Sequence, residues 1–413
     1  MGLLRRTAIV SGAIALAMAC APILGIDDIT YGPPPAEAGA GDGPAQGDGG
    51  GEDAPIVCKG FELRCGSECV NPEDDPRNCN ACGYDCGGGA CSQRRCQPEI
   101  LASGLYSPHG LVTDGEWIYA TLYGKDWTLF PSPPVGSVIR IPVDGGVPEG
   151  GAPETLVKDL VKPSFIRIVG DRLVWTTNDG LMASLRDGGA RVTEPDAGET
   201  FDLVVDGDLV QAARISGGCA VYSWRLPGGD GGAVPPPRPV PCGRWLAQAG
   251  ERLFGSITKN AFVDGGGGIA AFARDGTGPV VEYGSRPSWA VAVEGDYVYF
   301  TEERPKDGPG STDDSPTAVR RMLRDGGGET VLANGLYEPR MLIVDPPSGS
   351  IFVGEFYVAQ AKISRIPIDG GTPSTVVAVP SPMSLALVGG FLYWAAVGSP
   401  GQPVGEIGRI RVR

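Results

Sequence analysis

The dipeptide Asp-Gly closes a β-prone run at Asp144, Asp187, Asp230, Asp275, Asp325 and Asp369, in steps of 43, 43, 45, 50 and 44 residues. A fixed period of that size, with room for several strands per unit, predicts an all-β chain folded as a β-propeller. Each unit reads as an apolar strand, a tight turn, an aromatic-rich strand, a loop, a third strand, the Asp-Gly turn and a fourth strand. The apolar inner strands begin near Gly110, Phe165, Phe201, Trp245, Trp289, Met341 and Ser384. β-Branched and aromatic runs bounded by Gly, Asp and Pro are strand signals. Asp-Gly between two such runs favours a tight hairpin turn.

Seven inner strands stand against six Asp-Gly turns, and a seventh turn would fall where the chain stops, near residue 413. The last unit therefore ends at its third strand, over about 407–412. Its fourth strand is available at the other end of the propeller region. The segment from Glu99 to Pro108 closely copies the one from Glu329 to Pro339, which runs out of unit five into unit six. Pairing the two ends closes a ring and leaves only short, protected edges. A seven-bladed propeller is expected. Six blades is the alternative if unit three or four is degenerate, and unit four keeps only Leu253 and Phe254 of its second strand. Cys219 and Cys242 would bridge the third and fourth strands of blade three across 22 intervening residues. Such a bridge contributes about 3 kcal/mol by the chain-entropy argument. It would staple a blade weakened by the prolines from Pro235 to Pro239, which cannot donate ladder hydrogen bonds.

The start of the chain reads as a targeting segment. Arg5 and Arg6 precede an apolar run from Thr7 to Ala19, 13 residues long and too short for a permanent span. Residues 1–19 are therefore assigned as a signal peptide, with Cys20 next. Ala17-Met18-Ala19 suits an ordinary signal peptidase. Ala17-Met18-Ala19-Cys20 also resembles a loose bacterial lipobox, which implies lipidation at Cys20. Of eleven cysteines, eight cluster as Cys58, Cys65, Cys69, Cys79, Cys82, Cys86, Cys91 and Cys96, two stand in the repeats, and Cys20 is the odd one. Residues 20–57 form the anchor cysteine and a tether whose Gly, Pro, Ala and acidic residues cannot bury enough surface to order themselves. Residues 58–97 form a small module with too few apolar side chains for an ordinary core, so four disulfides are expected among 105 possible pairings. Metal binding through Cys79 and Cys82 is the rival. Residues 98–413 are the propeller.

The run from Asp75 to Gly83 resembles the D-P-x-N-C-x-x-C-G core of small Cys-rich modules in myxobacterial surface lipoproteins. The strings Leu173-Val-Trp-Thr-Thr, Tyr297-Val-Tyr-Phe-Thr and Leu392-Tyr-Trp-Ala resemble the Y-W-T-D repeats of propellers in lipoprotein receptors. The wider pattern is similar to bacterial NHL-like and lactonase-like propellers. The final Asp of Y-W-T-D is mostly missing, so the resemblance implies the fold and nothing more.

Composition narrows function by exclusion. A net charge of −15 argues against nucleic acid and against side-chain docking on an anionic lipid surface. One histidine, His109, excludes zinc sites built from several imidazoles. The extra loop length falls between second and third strands, on the face where each inner strand begins, and insertions on one face often mark the binding face. The candidate binding residues there are His109, Ser164, Trp289, Arg340 and Met383, with Trp127 and Phe130 on the first insertion. Asp179, Glu302 and Glu355 end second strands and are weak candidates for Ca²⁺ or for an acid/base pair. No other cofactor is indicated. The expectation is an exported, membrane-anchored lipoprotein of the cell envelope whose propeller is a non-enzymatic binding or scaffold module for a protein, small molecule or glycan. The alternative is a propeller hydrolase, lactonase or lyase with a carboxylate-bound metal in the channel.

Overall fold

A computed structural model describes residues 56–124, 135–145, 152–215, 218–228, 233–241, 243–258, 268–284, 286–303, 317–356, 361–398 and 405–412. Cys20 and the tether, Trp127, Phe130, Asp230 and Cys242 lie outside the described residues. Among the described residues, no helix is long and apolar enough to cross a membrane.

Seven antiparallel sheets of four strands succeed one another, numbered here as blades one to seven. Six of them are built from consecutive strands. The seventh takes Pro382–Val388, Phe391–Ala396 and Gly405–Arg411 from the end of the chain and Glu99–Leu105 from the beginning. Leu105 pairs with Gly405, Ala102 with Ile407 and Glu99 with Arg409. The six-bladed alternative is not realised. Unit four, the weakest in sequence, forms a full sheet from Leu246–Ala249, Arg252–Ser256, Ile269–Ala273 and Val281–Tyr283. In blade three the prolines shrink the fourth strand to Arg238–Pro239. Beside it, Val240 N–H donates to Cys219 O (3.2 Å), and Cys219 is disulfide-bonded.

The second strands read as continuous apolar runs because neighbouring blades cover both of their faces. Ile118, Tyr119 and Ala120, then Leu173 to Trp175, Val298 to Phe300 and Ile351 to Val353, are all buried. One cluster shows how blades share a core. Ile118, Ile139 and Ile141 of blade one pack with Tyr393, Ala395 and Ile407 of blade seven and with Leu101 and Leu105.

The repeated Asp-Gly turn does two jobs. Its carboxylate accepts the backbone N–H two residues on, at Asp187 (2.9 Å), Asp275 (2.8 Å) and Asp325 (2.9 Å). Its glycine has positive φ, 89° at Gly188 and 96° at Gly370. A Cβ there would lie 2.6 Å from Leu156 O and 3.0 Å from Leu332 O, on the outer strand of the preceding blade. The period thus records a contact between blades as well as a hairpin.

The cysteine module holds four disulfides: Cys58–Cys69, Cys65–Cys82, Cys79–Cys91 and Cys86–Cys96. Cys79 and Cys82 are therefore not thiolate ligands. The module's string from Asp75 to Gly83 is a folding device. Asp75 Oδ1 accepts from Arg77 N (2.9 Å) and Oδ2 from Asn78 Nδ2 (3.0 Å), and Asn78 Oδ1 accepts from Gly83 N (2.8 Å). Hydrogen bonds from Asn78 and Arg77 hold the Asp75 carboxyl below its usual range. The module meets the propeller at the ring closure. The Arg409 guanidinium donates to Glu99 (2.8 Å), to Val143 O and Asp144 O of blade one's turn, and to Gly87 O of the module. Arg411 lies over both Tyr84 of the module and Phe391 of blade seven.

Deleting residues 98–104 removes most of the closing strand and the buried Leu101. Loss of a core leucine costs about 2–5 kcal/mol. Thermal melting of the deletion variant should fall by roughly 10 °C or more. Unchanged melting would show that the ring does not need this strand.

Candidate functional site

Five of the seven inner strands do not enter their sheets in regular register. Pairing with the second strand slips between Pro108 and Leu111, Thr200 and Leu203, Ser288 and Val291, Pro339 and Met341, and Pro382 and Ser384. A slip of this kind re-aims side chains off the pleat. Four entries also turn through a non-glycine residue with positive φ just before proline: Ser107 (55°), Lys162 (46°), Glu338 (46°) and Ser381 (52°). That conformation costs about 1–2 kcal/mol in a residue with a Cβ, so the surroundings must impose it.

Buried threonines of the second strands hold the entries. Thr121 Oγ1 accepts from Gly110 N (2.8 Å) and donates to Ser164 O in the next blade. Thr176 Oγ1 accepts from Phe165 N (3.0 Å) and donates to Phe201 O (2.8 Å), again one blade on. Thr301 Oγ1 accepts from Ala290 N (3.0 Å). Thr176 and Thr301 are the threonines of the Y-W-T-D-like strings. Their role here is to stitch entries together.

These entries ring the mouth of the central channel. The His109 ring stacks on Tyr123, 4.5 Å between centroids and 20° from parallel, and its Nδ1 lies 3.2 Å from Ser164 Oγ. Phe165, Phe201, Trp245 and Trp289, from blades two to five, form a continuous aromatic layer with successive centroids 5.2–5.3 Å apart. Two guanidiniums lie on it. Arg244 is 5.0 Å over Phe201 and 5.6 Å over Trp289, and Arg340 is 4.9 Å over Trp289 and 3.8 Å over Phe356. Arg340 Nη2 also donates to Glu338 (2.9 Å). Lys162 Nζ sits 5.9 Å over Tyr123.

Burial, then the positive charge of Arg340, pushes the His109 pKa down to about 3. Burial and then Glu199 push the Tyr123 phenol up to about 12, with Arg244 opposing. Burial lowers the Arg340 pKa, with Glu338 opposing. At neutral pH His109 is thus a neutral imidazole and Tyr123 a protonated phenol. Neither is tuned near pH 7, where a general acid or base works best. The mouth is equipped to hold charge and donate hydrogen bonds.

Of the residues expected from sequence, His109, Ser164, Trp289 and Arg340 meet in this mouth. Met383 is buried at the same step of blade seven. Arg244, Tyr123 and Phe201 were missed. A signal existed for Arg244, because it occupies the step before Trp245 that Arg340 occupies before Met341. Also missed was a charged pair in the inner strands themselves. Buried Asp202 accepts from Arg167 Nη2 (2.9 Å), Leu203 N (2.8 Å) and Leu246 N (3.1 Å), tying blades two, three and four together. Burial raises its pKa, and Arg167 opposes that. The pair lines a cavity of about 380 Å³ along the inner strands, otherwise walled mainly by residues such as Leu111, Phe165, Trp245, Met341 and Leu385.

Two of the three candidate carboxylates, Glu302 and Glu355, serve their own blades. Asp179 is exposed at a tight turn, where its N–H donates to Thr177 Oγ1 (3.0 Å). Glu302 accepts from Arg320 and from Ala318 N (3.1 Å). Glu355 is fully buried and accepts from Tyr337 N (2.8 Å) and Ser364 Oγ (2.5 Å), with Lys362 Nζ at 3.7 Å. Among the described residues, the group with metal-ligand spacing is Cys79, Cys86 and Cys96, whose sulfurs are all in disulfides.

No known protein family matches this sequence, and no curated protein does. Solved structures do share the fold. The chain is similar to Kuenenia stuttgartiensis hydrazine synthase, at 14% identity over 75% of this chain and 96% of that one, with a TM-score of 0.55. It is similar to the AfRom2 CNH domain, at 8% identity over 77% of this chain and 100% of that one, with a TM-score of 0.53. A putative 6-phosphogluconolactonase from Bacteroides uniformis aligns at 15% identity over 73% of this chain and 92% of that one, with a TM-score of 0.49. Identities this low speak for the fold alone.

Two measurements check the electrostatics. Replacing Arg167 by Leu strands the Asp202 carboxylate in the channel wall and should cost about 2–4 kcal/mol in denaturant unfolding. Adding Asp202→Asn should recover part of that loss. For His109, the unfolded chain takes up a proton near pH 6.5 that the folded imidazole refuses until about pH 3. Between those values the unfolded state binds more protons, so stability falls as pH drops. Wild type should lose about 1–2 kcal/mol more than His109→Gln between pH 7 and pH 5. Equal losses would mean that His109 titrates normally.

Proposed function

We propose that this chain is an exported, lipid-anchored protein of the cell envelope whose propeller binds a ligand at the strand-entry mouth. The observation that carries the binding reading is Arg244. Its guanidinium is half-buried against Phe201 and Trp289, and it has no hydrogen-bond or ion-pair partner among the described residues. In a chain of net charge −15, a cation held in place and left unpaired is a group kept for an incoming ligand. The unreactive pKa values of His109 and Tyr123 support binding over catalysis. Four disulfides in the module support an oxidising compartment. The basic start, the apolar run and Cys20 support export and acylation.

The test has two arms. Intact-mass analysis of the mature protein should give a start at Cys20 with added acyl mass; a start at Cys20 without it removes the anchor. Arrays of glycans, peptides and small metabolites should yield a ligand whose binding falls at least tenfold in Trp289→Ala. Ligands bound equally well by that variant, or no ligand at all, would remove the mouth as the binding site.

A further inference from the structure

Resting on that reading, we infer that the ligand presents a single carboxylate to Arg244, and that the mouth is selective for organic monocarboxylates. The two arginines of the mouth differ in how they are engaged. Arg340 donates through Nη2 to Glu338 and is covered by Phe356 at 3.8 Å, while its Nε is buried without a hydrogen-bond partner and out of a ligand's reach. Arg244 lies over two aromatic rings, at 5.0 and 5.6 Å from their centroids, and its guanidinium N–H groups carry no hydrogen bond among the described residues. One free planar fork matches one planar carboxylate, bound through two parallel N–H···O contacts.

Charge counting points the same way. Among the described residues, Arg244, Arg340 and Lys162 stand near Glu199, Glu303 and Glu338, three cations with three carboxylates. His109 adds no charge at neutral pH. A dianion such as phosphate would enter a site with no net positive charge and meet the glutamates. A monoanion held on one fork creates the smaller imbalance. Tyr123 supplies a second donor. Its hydroxyl carries no hydrogen bond among the described residues, and the phenol is within electrostatic reach of Arg244. The half-exposed rings of Tyr123, Phe201 and Trp289 offer flat surface beside the fork. That surface suits a ring-bearing acid, which can be an acidic sugar or an aromatic acid.

Calorimetric titration of the purified mature protein separates these cases. The probes are glucuronate, its methyl ester, benzoate, benzyl alcohol and inorganic phosphate. Glucuronate, benzoate or both should bind, and the uncharged counterpart of each binder should be at least tenfold weaker. Binding by glucuronate alone marks the acidic-sugar source, and binding by benzoate alone the aromatic one. Arg244→Gln should weaken the binding acid at least tenfold, with an unchanged near-ultraviolet dichroism spectrum. Arg244→Lys, which keeps the charge and loses the fork, should fall between. Phosphate binding as tight as either acid, equal binding of an uncharged counterpart, an unaffected Arg244→Gln, or no binding of either acid would overturn the carboxylate assignment. An uncharged array ligand that still depends on Trp289 would leave the mouth as a binding site while removing the carboxylate.

Discussion

Everything in this molecule hangs on the joint between its first and last propeller strands. Arg409 is the clearest expression of that joint. Its side chain is only 6% exposed, and it ties the closing strand at Glu99, the Asp-Gly turn of blade one at Val143 and Asp144, and the cysteine module at Gly87. A buried guanidinium is costly unless its donors are satisfied. Here the partners come from three separate stretches of chain, so the cost is met only when the ring is shut. Ring closure is what lets every second strand be covered on both faces. It is also what places seven strand entries around one axis.

The mouth is a consequence of that placement. Apart from the stacked His109 and Tyr123 of blade one, no blade alone brings two of its key groups together. His109 and Tyr123 come from blade one, Ser164 from blade two, Phe201 from blade three, Arg244 from blade four, Trp289 from blade five and Arg340 from blade six. Register slips or positive-φ turns mark most of these entries, and Thr121 and Thr176 hold entries by hydrogen bonds that cross from blade to blade. The aromatic layer then serves the cations. It orients Arg244 and Arg340 and limits the water around them, which strengthens their interactions with an anion.

The cysteine module has a more local logic. Its core is little more than Cys79, Cys86, Cys91 and Cys96 packed with Tyr84. Cross-links replace the apolar mass that a segment this short lacks. Asp75, Asn78 and Gly83 shape its turn, which gives the Asp75–Gly83 string a role in folding. Its position against Arg409, Arg411 and Phe391 makes it a cap on the seam of the ring.

Blade count, strand order and the closing pair could be read from the sequence, because they follow from local rules. The Asp-Gly turn is a four-residue event, an inner strand is a run of apolar residues, and the copy of Glu329–Pro339 at Glu99–Pro108 is visible as text. Even Pro235 to Pro239 announced a short outer strand. The site was half legible. His109, Ser164, Trp289 and Arg340 could be named because they begin inner strands, whereas Asp179, Glu302 and Glu355 begin to make sense only once their hydrogen-bond partners are known. Which cation is free, which carboxylate is already paired, and whether an imidazole keeps its proton depend on groups tens to hundreds of residues apart in the chain. Electrostatic energy falls with distance through space and takes no account of separation along the backbone. The pairing of Asp202 with Arg167, the freedom of Arg244 and the low pKa of His109 were therefore decided by the closed ring.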